Sequence, residues 1–201
     1  MKRSHKVLVM LLLSSITALS IYTLHHLGGG EKHPSKHEIS EIGYVNSVNI
    51  TILVDNNPSG SLKSPWGISL YIETPNLTIL FDAGPDPETL RVNSKLLNIN
   101  LSRLDIIIIS HEHRDHIFGL SYIAELNRNL TIYIPKHMSD LSKTWIKRLG
   151  FNIIEIETTT VISNGIAIIG ELLGPPYEQA LAINIRDSGL VIIVGCSHPG
   201  V

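Results

Sequence analysis

The sequence is poor in cysteine and aromatic residues and has no large excess of charge of either sign. It contains one cysteine in 201 residues, so an internal disulfide is excluded. Aromatic residues make up 5%, and 16 lysines and arginines face 18 aspartates and glutamates, which gives a formal net charge of −2. Nucleic-acid binding depends on neutralising phosphates, and no basic stretch interleaved with aromatics is present. We therefore expect a small-molecule substrate and no nucleic-acid partner.

The N-terminus has the pattern of an export signal. Lys2, Arg3 and Lys6 form a cationic start, and residues 7–24 carry no charge. An apolar run of 18 residues lies at the lower limit for crossing a bilayer. Residues 1–24 are therefore expected to be a signal peptide or a retained transmembrane anchor. The chain would be extracytoplasmic, either secreted or membrane-anchored, and would contact the membrane through this segment if it is not cleaved.

The segment that follows, residues 25–46, is expected to be a flexible linker because it is glycine-containing and lacks hydrophobic periodicity. Its histidines could bind a metal weakly, but nothing fixes their geometry. Residues 47–201 alternate strand and helix patterns and are long enough to bury one core, so we expect a single domain there with mixed sheets and outer helices.

Hydrophobic periodicity and turn residues predict the elements of this domain. Strands are expected at residues 48–54, 68–73, 77–81, 106–109, 131–134, 153–157, 166–169, 180–185 and 190–194, and helices at 88–97, 117–126 and 139–149. The strand at 106–109 is apolar at every position, which is typical of a central strand covered on both faces.

A histidine cluster directly follows this central strand. Residues 110–116 read SHEHRDH. His111 and His113 at a strand end can direct two imidazoles at one ion from the same side, and Asp115 and His116 can then serve a second ion or a bound water. The spacing therefore predicts a metal site.

A second strand end also carries metal-binding residue types. After residues 190–194 the sequence reads GCSHPG from Gly195. His198 is the candidate third ligand beside His111 and His113, since three imidazoles with an open position are typical of catalytic zinc. Cys196 could be a thiolate ligand, or it could be a small apolar residue buried at a strand end.

The motif His111-x-His113-x-Asp115-His116, with Phe81-Asp82-Ala83-Gly84 upstream, resembles the metallo-beta-lactamase superfamily. Other segments resemble its branch of dihydropterin ribofuranosyl-aminobenzene phosphate synthase-like metal-dependent hydrolases. These segments read TILVDNN from residue 51, GISLYIE from 67, EQAL from 178 and GCSHPG from 195. The resemblance covers residues 48–201 and implies an α/β fold, an αββα sandwich of two mixed sheets.

The resemblance also implies the cofactors and their ligands. One or two divalent ions are expected, with zinc as the first choice and manganese, iron or magnesium as alternatives. One ion would be held by three histidines and the other by an aspartate and a histidine. These sets are His111, His113 and His198 for the first ion, and Asp115 and His116, with Cys196 as a possible addition, for the second.

Three further residues receive roles from the same resemblance. Asp82 is expected to orient a ligand imidazole, although an aspartate before Gly84 could also simply form a turn. Asn57 and Glu178 are expected in the substrate pocket. Asp115 is expected to be the catalytic residue that orients the nucleophile and moves its proton.

The chain departs from the branch in three ways. Trp66 precedes Gly67 where the branch has a histidine, so a polar pocket role of that histidine is expected to be missing. The apolar Ile117 and Phe118 follow the metal motif where the branch has Thr-Gly, which is expected to alter substrate specificity. The branch continues well beyond the GCSHPG loop, with further strands, a helix and a last histidine ligand, so a C-terminally truncated domain is expected.

Two functions follow from these expectations. The first is a metal-dependent hydrolase that uses activated water on an ester, lactone or phosphoester. The second is a truncated, non-catalytic metal-binding or scaffold protein that retains one metal site.

Overall fold

The computed structural model of the protein describes residues 41–200. The predicted signal peptide or anchor, residues 1–24, lies outside this range, as does most of the predicted linker. Across the described range, every helix is too short or too polar to span a bilayer.

The described residues form two sheets. The strands are β1 Asn49–Val54, β2 Ser69–Glu73, β3 Thr78–Phe81, β4 Ile106–Ile108, β5 Thr131–Pro135, β6 Asn152–Ile156, β7 Thr160–Ser163, β8 Ile166–Leu172, β9 Glu178–Ile185 and β10 Gly189–Ile193. One sheet has the order β1-β2-β3-β4-β5-β6 and the other β10-β9-β8-β7. The first is mixed, with antiparallel β1, β2 and β3 and parallel pairs from β3 to β6; the pairs of the second are antiparallel.

Four α-helices lie in the described range: α1 Pro87–Leu96, α2 Arg114–Ile117, α3 Leu120–Leu126 and α4 Asp140–Leu149. Asp86 caps α1, with Pro87 in its first turn, and Ser139 caps α4. Gly150 ends α4 in the left-handed region with φ 99°, which glycine adopts without steric cost.

The two faces of the central strand β4 bury different side chains. Ile107 belongs to an apolar cluster shared with Leu90 of α1, Ile123 of α3 and Ile146 of α4. Ile106 and Ile108 face a second cluster that contains the inward residues of β8 and β9. The described layers are therefore helices, the six-stranded sheet and the four-stranded sheet, which confirms the predicted α/β fold with two sheets.

The structure differs from the sequence predictions at two elements. Strand β7 was not predicted, because its four residues are only half-buried and do not alternate. The single helix predicted at 117–126 is two helices, α2 and α3, interrupted at Phe118 and Gly119. Gly119 packs so closely on the loop after β3 that an added Cβ would lie 1.9 Å from the carbonyl oxygen of Ala83.

The predicted linker also ends earlier than residue 46. Val45 is buried, pairs in parallel with Ile185 at the end of β9 and accepts a hydrogen bond from the backbone N–H of Arg186. The backbone N–H of Gly165 donates to Ile42. Residues 42–45 are therefore fixed to the four-stranded sheet.

Candidate metal centre

The centre lies where strands of both sheets end. The histidine cluster follows β4 of the six-stranded sheet, and the loop with Cys196 and His198 follows β10 of the four-stranded sheet. Gly195 allows the two loops to meet, since an added Cβ there would lie 2.2 Å from the Ser110 hydroxyl oxygen. Residues about 80 positions apart in the sequence are thereby brought into contact.

Three imidazoles converge at this junction. The ring centroids of His111 and His113 lie 4.6 Å apart, and each lies 4.8 Å from that of His198. His111 Nε2 and His113 Nδ1 are 3.1 Å apart. Two nitrogen ligands of one zinc ion, each about 2.0–2.1 Å from it, can adopt such a separation.

Two groups of donor atoms surround the junction, and Cys196 belongs to both. One group is His111, Cys196 and His198, and the other is Asp115, His116 and Cys196; within each, the donor atoms lie within 4.8 Å of one another. Cys196 Sγ is 3.1 Å from His116 Nε2, which is 3.4 Å from Asp115 Oδ2. The thiol therefore stands between the two predicted ligand sets. His113 belongs to neither donor group, but its ring contacts those of His111 and His198.

Asp82 bonds His116 directly and His111 through the Ser110 hydroxyl. Its carboxylate is fully buried and lies 2.6 Å from His116 Nδ1, with Oδ2 as the acceptor. The Ser110 hydroxyl also donates to this oxygen at 2.7 Å, and the Ser110 backbone N–H donates to Oδ1 at 2.7 Å. Asp82, for which an orienting role was predicted, thus bonds both His116 and Ser110, and its positive φ of 56° is one that aspartate tolerates better than most residues.

This network determines which ring nitrogens are free. The Ser110 hydroxyl has one hydrogen and gives it to Asp82, so His111 Nδ1, 2.9 Å away, must donate to Ser110 Oγ. His111 Nε2 then carries a lone pair. His116 Nδ1 likewise donates to Asp82, so in the neutral ring, the form that binds a metal, His116 Nε2 is the lone-pair nitrogen on the side of Asp115 and Cys196.

Burial and neighbouring charges set the protonation of these groups. Burial, together with the neighbouring histidines, lowers the pKa of His111 to about 2, so its imidazole is neutral as a ligand must be. Burial lowers the pKa of His116, but the hydrogen bond to Asp82 and the charges of Asp82, Asp115 and Glu178 together outweigh this effect, and the pKa is raised. Burial raises the pKa of the Asp82 carboxyl against the opposing bonds from His116 and Ser110. Burial and nearby carboxylates raise the pKa of Cys196 to about 11.

Glu178 holds the loop that carries His198. Its carboxylate is buried and accepts the backbone N–H groups of Ser197 at 3.0 Å and His198 at 2.9 Å. The sequence predicted a pocket role for this residue, whereas its bonds assign it to the support of the ligand loop.

Glu112 points away from the donor groups, although it lies within the histidine cluster. It accepts from the backbone N–H of Ser139 at 3.2 Å and from the hydroxyls of Ser139 and Ser142, the latter at 2.6 Å. The residue therefore connects the histidine loop to the first turn of α4.

A cavity of about 440 Å³ opens over the donor groups. Its wall consists of Asp55, Asn56, Trp66, Gly67, Ile68, Asp115, His116, Gly195, Cys196 and His198. The predicted pocket residue Asn57 is not in this wall; its backbone and side-chain nitrogens donate to Asp55 at 3.1 and 3.2 Å. Ile117 and Phe118, expected to affect specificity, are also outside the wall and pack in the core beneath α3 and α4.

Sequence reasoning missed two residues that organise the site. Ser110 connects His111 to Asp82, and its only signal was its position between the strand and the first histidine. Gln179 is fully buried, and its side-chain amide donates to the carbonyls of Ile109 at 2.8 Å and Tyr133 at 3.1 Å. Its position in β9 next to Glu178 could have indicated a buried polar partner for another strand end.

The donors fit a divalent ion. Imidazole, carboxylate and thiolate are the ligand types that zinc and related first-row metals accept, and two of the imidazoles have a defined lone-pair nitrogen. Both have their other nitrogen bonded to a carboxylate or a hydroxyl, which is the usual arrangement behind a metal-binding histidine.

Imidazole and carboxylate donors at the strand ends of a two-sheet α/β fold are characteristic of a metal-binding protein. A family model described as the metallo-beta-lactamase superfamily matches residues 68–191, and the chain belongs to this superfamily. Divalent metal ions are therefore implied for the centre.

Individual relatives agree with this assignment. The chain is similar to the 7,8-dihydropterin-6-methyl-4-(beta-D-ribofuranosyl)-aminobenzene-5'-phosphate synthase of Methanocaldococcus jannaschii, with 29% identity covering 81% of this chain and 72% of the relative. It is 34% identical to ribonuclease Z of Nanoarchaeum equitans, covering 63% of this chain and 42% of the relative. The crystal structure of Tm1679, described as a metal-dependent hydrolase of the beta-lactamase superfamily, superposes with a TM-score of 0.59 at 22% identity, covering 77% and 68%.

Proposed function

We propose that the protein is a metal-dependent hydrolase that cleaves a phosphoester, ester or lactone bond in a small molecule. The observation that carries this proposal is the position of the two donor groups. Asp115, His116, Cys196 and His198 form part of the wall of one cavity, so a substrate in that cavity would contact both groups.

The residues divide into two ligand sets. His111, His113 and His198, whose rings contact one another, would hold one ion. Asp115 and His116 would hold a second, and Cys196 belongs to the donor groups on both sides. A bound divalent ion supplies a Lewis acid that lowers the pKa of water and polarises the bond to be cleaved.

Asp115 is the candidate proton carrier. Its side chain is 24% exposed and lies in the cavity wall, with Oδ2 3.4 Å from His116 Nε2. A carboxylate in this position can accept a proton from the attacking water and direct its lone pair toward the substrate. Asp82 keeps the His116 ring oriented for this task, and Glu178 keeps His198 at the cavity.

A phosphoester is the first substrate class to test. One relative is named a ribonuclease and the name of another contains a 5'-phosphate. Esters and lactones follow, because hydrolysis at phosphorus and at carbonyl carbon makes the same demands for a Lewis acid and a proton acceptor.

The test combines metal content with turnover in the purified full chain. We expect about two divalent ions per chain and hydrolysis of bis(p-nitrophenyl) phosphate, p-nitrophenyl acetate or a simple lactone, with activity falling about 10²- to 10⁴-fold in Asp115→Ala. Asp105→Asn is the control, since this exposed carboxylate lies outside the cavity wall and accepts a hydrogen bond from the backbone N–H of Thr78. At most one ion and no turnover in a folded sample would instead support the non-catalytic metal-binding or scaffold function.

A further inference from the structure

Trp66 is a large apolar side chain exposed inside the cavity wall. It is 70% exposed, although tryptophan is a residue type with much to gain from burial. The ring stands in the same concave wall as Asp115 and His198, and Ile68 lies two residues further along that wall. An exposed indole in a concave site beside metal-binding residues is positioned to contact a ligand.

The backbone next to Trp66 is fixed against the metal motif. Gly67 has φ 143°, and an added Cβ would lie 2.6 Å from the carbonyl oxygen of Asp115. The backbone N–H of Ile68 donates to the same carbonyl at 3.4 Å. The chain segment that carries the indole is therefore held at a set distance from the candidate proton carrier, while the ring itself is free of core packing.

We propose that Trp66 is a specificity-determining residue that stacks on a planar aromatic substituent of the ester or phosphoester, on the part of the substrate that remains after the leaving group departs. This inference rests on the proposed function, because it places the stacked group beside the bond that the metal centre cleaves. An aromatic ring stacked on an indole gains stacking energy in addition to the free energy of burying its apolar surface. An alkyl group of similar size gains only the free energy of burial. The site should therefore prefer aryl over alkyl substituents.

The location of the ring favours a small ligand over a protein partner. Trp66 lies in a cavity of about 440 Å³, a size that accommodates a small molecule. Asp55 and Asn56 in the same wall offer polar groups that can orient such a molecule. Docking of a protein surface would instead require a broad apolar patch around the indole.

Binding is tested first, independently of turnover. The chain has two tryptophans, and Trp145 packs on Phe118 with ring centroids 5.5 Å apart, away from the cavity wall. Trp145→Phe therefore leaves Trp66 as the single fluorophore. In the zinc-loaded full chain we expect phenyl phosphate to quench this fluorescence and methyl phosphate to leave it unchanged at equal occupancy, which calorimetry measures.

Kinetics with a matched substrate pair then test the specificity. Bis(p-nitrophenyl) phosphate and methyl p-nitrophenyl phosphate share a leaving group and differ in the aryl or methyl substituent that remains. In Trp66→Leu we expect KM for the diaryl substrate to rise about 3- to 10-fold with kcat little changed, and KM for the methyl substrate to stay the same. Trp66→Phe should restore most of the loss, and Trp145→Phe is the control for both substrates.

The outcomes separate this inference from the proposed function. If both substrates are hydrolysed and Trp66→Leu changes KM equally for both, the stacking inference is wrong and the proposed hydrolase function is retained. If phenyl phosphate quenches the fluorescence and methyl phosphate does not, but neither substrate is hydrolysed, stacking is supported and the proposed hydrolase function is contradicted. Unchanged phenyl phosphate binding in Trp66→Leu, with its fold confirmed by circular dichroism, would also overturn stacking.

Discussion

Glu178 Oε2 accepts a hydrogen bond from the backbone N–H of His198 at 2.9 Å, over 20 residues of sequence. The buried carboxylate belongs to β9, and the loop that it fixes follows the neighbouring strand β10 of the same sheet. An exposed loop that carries a ligand has to be held by such bonds, because its own side chains do not reach the core.

Replacing this carboxylate should weaken metal binding without removing a ligand. In Glu178→Gln one backbone N–H of the loop faces an amide donor, and we expect zinc affinity to fall about 10- to 100-fold. Competition with a chelating dye measures the change. Glu125→Gln is the matched control, because Glu125 forms an exposed ion pair with Arg91 at 2.8 Å. Equal affinities in both variants would show that the loop does not depend on Glu178.

Asp82 should strengthen metal binding by fixing the tautomer of His116. In Asp82→Asn an amide oxygen in the Oδ2 position can still accept from His116 Nδ1 and the Ser110 hydroxyl, but the NH2 group then faces the backbone N–H of Ser110. The flipped amide presents its NH2 group to His116 Nδ1, so the lone pair on His116 Nε2 is no longer guaranteed. We expect a loss of about 10- to 100-fold in metal affinity, concentrated in the second ion. Metal content after dialysis against a set free-zinc concentration measures this. Full retention of both ions would contradict the orienting role, and Asp105→Asn again controls for the lost charge.

Glu112 should contribute to stability more than to metal binding. Glu112→Ala removes the acceptor for two hydroxyls and a backbone N–H at the start of α4, which we expect to lower the free energy of unfolding by about 1–2 kcal/mol. Urea denaturation of the metal-free chain measures the effect. Glu88→Ala is the control in the first turn of α1, where an exposed ion pair with Lys63 contributes about 0–1 kcal/mol. Similar losses in the two variants would refute a special role for Glu112.

Proton release tests whether Cys196 is a ligand. Its pKa is raised to about 11 by burial and by the carboxylates of Asp115, Glu178 and Asp82, so at pH 8 the thiol is protonated before metal arrives. Coordination as thiolate must expel that proton. We expect zinc binding to Cys196→Ser to release about one proton fewer than binding to the unchanged chain, measured by calorimetry in buffers of different ionisation enthalpy. An identical proton count would exclude a thiolate ligand.

The sequence predicted the parts of the site that are local. The run from Ser110 to His116 is continuous, and its position after four isoleucines indicated a central strand, which β4 is. The second strand end with Cys196 and His198 was found in the same way. Hydrophobic periodicity and turn residues likewise predicted strands β2 and β3 and helix α1.

The supporting contacts could not be predicted because they depend on packing between distant segments. Glu178 and Gln179 were read as part of a segment that resembles the family, with Glu178 expected in the substrate pocket. Only the meeting of β9 with the ends of β4 and β5 and with the His198 loop shows what they bond. The break at Gly119 depends in the same way on the loop at Ala83, 36 positions earlier by residue number, which takes the space of a side chain.

The positions of the three imidazoles have a mechanical consequence. His111 and His113 follow a strand of the six-stranded sheet, and His198 follows a strand of the four-stranded sheet. An ion held by all three is a cross-link between the two halves of the sandwich, and its binding free energy opposes any sliding of one sheet over the other. Loss of the ion would therefore loosen the interface between the sheets before either sheet lost its own hydrogen bonds.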